Sequence, residues 1–69
     1  MRVKVLFNNG AVIFGKLIGD EVNVMKPGQA IAWIMNNQNG WVRLESHHGQ
    51  EIQLNKNIIK SIIQDDLSV

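Results

Sequence analysis

The sequence predicts a small all-β domain: a five- to six-stranded antiparallel barrel, with a short C-terminal helical turn as an alternative to its last strand. Three observations predict it: short runs of alternating apolar and polar residues, turn-forming pairs such as Asn-Gly between them, and a length of 69 residues. Short, evenly spaced strands joined by turns are typical of small antiparallel barrels. We expect residues 1–64 to form one domain and residues 65–69 to form a flexible acidic tail.

The first twenty residues predict a β-hairpin on which the rest of the sheet is built. Apolar residues alternate with polar ones from Val3 to Phe7, and a second, mostly apolar strand runs from Ala11 to Ile18. Asn9-Gly10 lies between the two strands and tolerates positive φ at both positions, as a type I′ turn requires. Gly15, inside the second strand, predicts a bend or bulge.

The middle of the sequence predicts two further strands separated by turns. Residues 19–21 suit a turn, and residues 22–26 then begin a strand. Pro27-Gly28 fits a type II turn, because proline presets φ and glycine accepts the left-handed position. The apolar run at residues 30–35 predicts a buried strand. The polar run from Asn36 to Gly40 is the strongest loop signal in the chain.

The C-terminal part predicts a second hairpin and one ambiguous segment. Residues 41–45 and a strand around residues 51–54 flank a turn at His47–Gln50. Residues 57–67 suit a short helix with Asn57 as its N-cap. They also suit a strand, because they are rich in β-branched isoleucine. We favour the strand.

Composition excludes several classes of protein. There is no cysteine, so neither disulfides nor thiolate metal sites stabilise the chain. No apolar run approaches the roughly 18 residues of a membrane span and no signal-peptide pattern opens the sequence, so we expect a cytoplasmic protein. A chain this short often gains stability by oligomerising. The net charge of +1 is small for a nucleic-acid binder, so a basic edge would have to be repeated around a ring of copies.

Two stretches resemble the Sm-like family, which includes the Sm and Lsm proteins and bacterial Hfq. The first motif of that family is filled without gaps by Val3, Val5, Phe7, Gly10, Ile13, Gly15, Leu17 and Gly19. The run from Leu54 to Ile63 resembles the second motif of Hfq, with Lys56 on its lysine and asparagines in place of its tyrosine and histidine. The resemblance covers roughly residues 2–24 and 52–63. It implies an SH3/Sm-like barrel that binds RNA as a homo-oligomer.

Two weaker local similarities concern the middle of the chain. Residues 26–31 are similar to the N-terminal signature of the CsrA family, whose members bind RNA. Residues 40–44 are similar to the Gly-Trp strand of bacterial SH3 domains, which bind proteins or cell-wall peptides. The second similarity leaves another function open: a protein–protein interaction module, small inhibitor or adaptor. Such a module would contact its partner through Trp41 and the loop from Asn36 to Gly40.

The candidate RNA-binding residues are cations for phosphate, asparagines for unpaired base edges and a tryptophan for stacking. They are Lys56, Asn23, Asn57, Arg43, Lys60 and Trp41, with Arg2, Lys4 and Lys16 as a second basic group. Asn23 is included by analogy with the Sm-family asparagine that meets a base. Each of these residues also has an interpretation without RNA: lone lysines are often only solvated surface residues, and asparagines in turns often only form the turn. Trp33 is expected in the core, whereas Trp41 suits either the core or the surface.

We expect neither an enzyme nor a bound cofactor or metal ion. The only hydroxyl nucleophiles are three serines, and the adjacency of Ser46 to His47 in sequence is not a catalytic geometry. His47 and His48 are neighbours, and side chains of adjacent residues on a strand point to opposite faces. The two histidines are therefore interpreted as part of a solvated turn.

Overall fold

The computed structural model of the protein describes residues 1–36 and 40–65. Within these residues, five strands form one antiparallel sheet, and two short helices connect its second and third strands. The strands are β1 (Arg2–Phe7), β2 (Val12–Leu17), β3 (Trp41–Glu45), β4 (Glu51–Asn55) and β5 (Ile59–Gln64). The helices are α1 (Asp20–Val24) and α2 (Pro27–Asn36), and a 3-10 turn (Lys56–Ile58) joins β4 to β5. The small single-domain β fold is as predicted.

The strand order is β4-β3-β2-β1-β5, so the two hairpins lie side by side and the last strand returns to pair with the first. β1 is therefore bonded on both sides, to β2 and to β5. The contact between the hairpins is short and pairs Lys16 with Glu45 and Leu17 with Leu44. The two outer strands, β4 and β5, are consecutive in the chain and are separated only by the 3-10 turn.

The core lies on one face of the sheet and is closed by the helices. Its most completely buried side chains alternate along three strands: Val3, Val5, Leu17, Val42 and Leu44. The helices add Val22, Ala30 and Ile34, and β5 adds Ile59 and Ile62. No polar or charged side chain of residues 1–36 or 40–65 is buried. The core is therefore entirely apolar over the part of the chain that the structure describes.

Residues 20–24 and 27–36 are helical, so the strands and the type II turn predicted there are wrong. Pro27 is the first residue of α2, a position that proline favours because its missing N–H has no helical partner there. The apolar residues recur at the 3–4 spacing of one helix face, which packs on the core: Ala30, Ile31, Ile34 and Met35. Trp33 points away from this face and is 40% exposed, so its predicted core position is also wrong.

The two hairpin turns are built alike. In each, the N–H of a glycine donates to a carbonyl three residues earlier, Gly10 to Phe7 and Gly49 to Ser46, both at 3.0 Å. Both glycines have a left-handed φ, 90° and 77°, whereas no described residue other than glycine has a positive φ. This is a type I turn followed by a left-handed glycine. Both predicted hairpins are thus confirmed, but the type I′ turn predicted at Asn9-Gly10 is wrong.

The ambiguous C-terminal segment forms a strand over residues 59–64, as we favoured. Asn57 is not an N-cap. The capping residue is Asn55, whose side-chain Oδ1 accepts a hydrogen bond from the Asn57 N–H at 2.9 Å. The Asp65 N–H donates to the Arg2 carbonyl at 2.9 Å. Residues 37–39 of the predicted loop and 66–69 of the predicted tail lie outside the described residues.

Gly15 lies where the two hairpins meet. A Cβ atom at this residue would lie 3.1 Å from the Glu45 carbonyl oxygen and 3.4 Å from the Leu44 Cβ. The β1–β2 register passes Gly15 without a shift, so the predicted bulge is absent there. The described sheet instead shifts register between β1 and β5, at Leu6/Phe7. Glycine at residue 15 therefore permits the close approach of β3.

We predict that Gly15→Ala lowers the free energy of unfolding by about 1–3 kcal/mol, because the added methyl group overpacks a backbone contact. Chemical denaturation followed by circular dichroism measures the change. Gly28→Ala is the matched control, since a Cβ at that helical residue would meet nothing within 4 Å. The control should keep or raise stability, by up to about 1 kcal/mol. Equal effects of the two substitutions would contradict the packing argument.

Candidate functional site

Cations are concentrated on the strands around β1. Strands β1, β2 and β5 carry Arg2, Lys4, Lys16 and Lys60 and contain no Asp or Glu. Arg2 lies directly opposite Lys16 in the β1–β2 register. Directly opposite residues of an antiparallel pair share one face, so these two side chains and Lys4 lie on the same side of the sheet. That side is opposite the core, because Val3 and Val5, which alternate with Arg2 and Lys4 along β1, are completely buried.

Apolar side chains lie among these cations on the same outer face. Phe14 is directly opposite Lys4 and is 50% exposed. On its other side Lys4 pairs with Ile63 of β5, which is 48% exposed. Val12 lies two residues from Phe14 on the same strand and is also exposed. We name this surface the hairpin face; it comprises Arg2, Lys4, Lys16, Val12, Phe14 and Ile63.

A pocket of about 430 Å³ lies at the tip of the same hairpin. The β1–β2 turn contributes four residues and the 3-10 turn contributes two; its lining is Phe7, Asn8, Asn9, Ala11, Asn57 and Ile58. The two turns meet because the pairing of β1 with β5 continues up to Phe7 and Ile59. We name this cavity the tip pocket. It combines three carboxamide side chains with an apolar wall.

Hydrogen bonds between the two turns hold the tip pocket together. The Asn8 side-chain Nδ2 donates to the Asn57 carbonyl at 3.0 Å, and the Asn8 N–H donates to the Ile58 carbonyl at 3.0 Å. The Asn57 N–H is held by Asn55, as described above. Both backbone groups of Asn57 are thus fixed, whereas its side-chain amide makes no hydrogen bond to any described residue. That amide is exposed and available to a ligand.

The structure brings three of the predicted RNA-binding residues to the neighbourhood of this pocket. Asn57 lines it, and Lys56 precedes Asn57 in the 3-10 turn, where its N–H donates to the Gly40 carbonyl. Lys60 is the extra residue at the register shift in β5, between the positions that pair with Phe7 and Leu6, and it is exposed. A bulge of this kind often re-aims a side chain at a sheet edge.

The other three predicted residues lie elsewhere and do not line the pocket. Asn23 is exposed on α1, between the two hairpins in sequence. Trp41 is 60% exposed on β3, opposite Asn55 of β4, which resolves the choice between core and surface in favour of the surface. Arg43, two residues further along β3, is engaged in an ion pair.

The Arg43 guanidinium forms a two-pronged ion pair with Glu51. Its Nε donates to Glu51 Oε2 at 3.0 Å and its Nη2 donates to Oε1 at 2.9 Å. Gln53 Nε2 also donates to Glu51 Oε2, at 3.2 Å. Because the hydrogen bonds from Arg43 and Gln53 favour the ionised carboxylate, they lower the pKa of Glu51 to about 2. The positive charge of Arg43 is therefore balanced within the sheet, which suits phosphate binding less well than the lysines do.

The histidines belong to the second hairpin turn. His47 and His48 are exposed, and Ser46 Oγ accepts hydrogen bonds from the N–H groups of His48 and Gln50, both at 3.3 Å. Over residues 1–36 and 40–65 no group of three or more His, Cys, Asp or Glu residues could hold a metal ion. In the same residues, no helix is long and apolar enough to cross a membrane.

Sequence reasoning missed Phe14 and the tip pocket. Phe14 could have been found from the predicted hairpin, since its alternation with Ile13 and Gly15 places it on the side of Lys16. The sequence predicts Asn9 only as part of the hairpin turn, and Asn8 directly precedes it. Their proximity to Asn57 depends on contacts between residues 49 positions apart in the chain, and no local pattern reports such contacts.

We predict that Glu51→Gln lowers the melting temperature at neutral pH and that the difference from the unmodified protein vanishes in acid. The pKa of Glu51 is lowered from 4.5 to about 2 in the folded state, so its ion pair stabilises the fold fully above pH 4.5. This contribution is lost as the pH falls from 4.5 towards about 2. Thermal unfolding across this range measures it. Asp65→Asn, after β5, is the control; the same pH-dependent difference in the control would contradict the assignment.

No protein-family model, curated protein or solved structure matches this chain. The resemblance to the Sm-like family is therefore neither supported nor contradicted by any relative. The hairpin face and the tip pocket are the features of the structure that indicate what the chain can bind.

Proposed function

We propose that this protein is a non-enzymatic RNA-binding domain that binds single-stranded RNA on the hairpin face. The observation that supports the proposal is the exposed Phe14 ring directly opposite Lys4, on a face that also carries Arg2 and Lys16 and whose three strands contain no carboxylate. Cations that follow the backbone and an aromatic ring on which a base stacks are the two features that single-strand binders combine. Unpaired RNA suits this face, because its bases can leave their stack to meet the ring.

The distribution of charge supports the proposal more than its total does. The described carboxylates lie on the helices, on the second hairpin or after β5: Asp20, Glu21, Glu45, Glu51 and Asp65. The three strands of the hairpin face thus carry cations and no carboxylate, although Glu45 of β3 lies directly opposite Lys16 at one edge of the face and the net charge is only +1. Each neutralised phosphate of a single strand contributes roughly 0.7 to the salt dependence of log K. Three or four such contacts make a weak site in a single copy.

Assembly of several copies would strengthen such a weak site. The outer strands β4 and β5 have no strand partner on their outer side within the described residues. In our proposal, β4 of one copy pairs with β5 of the next. This head-to-tail contact forms a ring when its rotation closes, and otherwise such edges invite uncontrolled association. Repeating the hairpin face around a ring multiplies contacts to one RNA strand.

We expect light scattering coupled to size-exclusion chromatography to give one discrete mass of several copies. Strand pairing between copies buries backbone groups of β4 and β5, so the mass should persist on dilution to the micromolar range used for RNA binding. A monomer at every concentration would contradict the assembly while leaving the hairpin face to be tested separately.

We predict that the double variant Lys4→Gln/Lys16→Gln binds a labelled single-stranded RNA more weakly and with a smaller salt dependence. Loss of each phosphate contact should reduce the slope of log K against log salt by about 0.7. Fluorescence anisotropy over a range of salt concentrations measures both quantities. Lys26→Gln, between the two helices and away from the hairpin face, is the charge-matched control for one lysine. If Lys26→Gln weakens RNA binding as strongly as half of the effect of the double variant, the result contradicts the proposed site.

The stacking contribution is tested in the same assay with Phe14→Ala. We expect it to weaken RNA binding by about 1–3 kcal/mol. Because half of the ring is exposed, circular dichroism should show an intact fold. Trp41→Ala is the aromatic control on the other hairpin. An RNA affinity that falls for Trp41→Ala and not for Phe14→Ala would place the stacking site on β3 instead.

The exposure of Trp41 favours a second candidate function, a protein-interaction module. At 60% exposed, Trp41 presents more of its surface than any other described aromatic residue. Tryptophan is enriched among the residues that dominate protein–protein binding. Three results would favour this function over RNA binding. The purified protein would be free of nucleic acid, it would bind no RNA, and the Trp41→Ala variant would no longer bind a protein partner that the unmodified protein binds.

A further inference from the structure

We propose that the tip pocket holds one unpaired adenine base of the bound RNA and that the Asn57 side chain recognises it. The inference rests on the proposed function and adds the identity of a base to it. It concerns a site separate from the hairpin face, so an experiment can disprove base recognition in the pocket without disproving RNA binding on the hairpin face.

The lining of the pocket suits a flat, uncharged and partly polar ligand. Phe7, Ala11 and Ile58 give an apolar wall, and Ile58 is 50% exposed beside the opening. The remaining three lining residues are asparagines, and none of the six is charged. Single-stranded RNA is recognised where an extruded base packs its ring on apolar or aromatic side chains and bonds its edge to polar ones. The volume of about 430 Å³ leaves room for one base and its sugar.

The hydrogen-bonding groups that remain available select among the bases. Asn8 donates through its side chain to Asn57, and the Asn9 Oδ1 accepts from the Ala11 N–H at 2.9 Å, so both side chains are partly committed to the turn. The Asn57 amide is uncommitted and offers one donor and one acceptor side by side. This pair is complementary to the N6 amino group and N7 of adenine. The edges of uracil and cytosine also offer one donor and one acceptor, but their single rings cover less of the apolar wall than a purine does, which favours adenine among the three bases. Guanine presents two acceptors on that edge and suits Arg or Lys, which the lining does not contain.

Asn57 is held in position before any ligand binds. Its N–H bonds to Asn55 and its carbonyl accepts from Asn8, so the backbone on both sides of the side chain is fixed. A group that is already ordered loses little conformational entropy on binding, which makes its hydrogen bonds more effective.

The pocket lies at the end of the hairpin whose outer face is proposed to bind the RNA backbone, although its Phe7 wall is on the core side of β1. Along the hairpin, only the Leu6–Val12 pair separates the turn from the Lys4–Phe14 pair of the hairpin face. Lys60 is exposed at the register shift of β5, between the partners of Leu6 and Phe7. A strand bound at Lys4 and Phe14 therefore has to pass only one residue pair to reach the turn at the tip.

Fluorescence anisotropy with labelled oligoadenylate, oligocytidylate and oligouridylate of equal length tests the inference. The unmodified protein should bind oligoadenylate about tenfold more tightly than the two pyrimidine strands. Asn57→Ala should remove this preference by lowering the affinity for oligoadenylate to that for oligouridylate. Asn36→Ala, an exposed asparagine at the end of α2, is the matched control and should keep the preference. Replacing the adenines by purine, which has no N6 amino group, should lower affinity as much as Asn57→Ala does.

The possible results separate the two proposals. Equal affinity for all three strands, or an adenine preference that survives Asn57→Ala, overturns the pocket while the hairpin face stands. Binding of no strand overturns both. A folded Asn57→Ala variant is verified by circular dichroism. In addition, the side-chain amide signals of Asn57 in the NMR spectrum should shift on titration with adenosine monophosphate and not with uridine monophosphate; the absence of that difference also overturns the inference.

Discussion

The register of β1 is the constraint on which the rest of the structure depends. Val3 and Val5 are completely buried, and β1 is the strand that pairs with both β2 and β5. Because side chains alternate along a strand, the burial of these two valines places Arg2 and Lys4 on the opposite, solvent-facing side. A slip of one residue would exchange the two sets, moving cations into the core. The same alternation therefore defines the apolar core and the basic surface at once.

The tip of the β1–β2 hairpin shows how a turn becomes part of a site. A type I turn leaves Asn8 and Asn9 with negative φ and assigns the left-handed position to Gly10. The asparagine side chains are then free to bond to neighbouring backbone, and Asn8 reaches the 3-10 turn that follows β4. Residues far apart in sequence thus line an open pocket whose walls come from two turns.

Much of the sheet could be predicted from the sequence, because its signals are local. Alternation along β1, β3 and β4 and a glycine in each turn were sufficient to place both hairpins, and the isoleucines of the last strand favoured β5. The helices at residues 20–24 and 27–36 were not predicted, because a proline-glycine pair suits the first turn of a helix as well as a type II turn. The spacing of Ala30, Ile31, Ile34 and Met35 would have decided for the helix. The candidate site was only partly predictable: Asn57 and the second basic group of Arg2, Lys4 and Lys16 were identified, whereas the pocket depends on pairing between the two ends of the chain.

The wholly apolar interior has a consequence for acid tolerance. Over residues 1–36 and 40–65 no ionisable side chain is buried, so acidification creates no charge inside the fold and breaks no internal polar network. Many proteins unfold in acid because a buried histidine must become charged or an internal carboxylate must lose its partner. For this domain the balance is decided at the surface, by loss of the Arg43–Glu51 ion pair and by mutual repulsion of the cations that remain when the carboxylates are neutral.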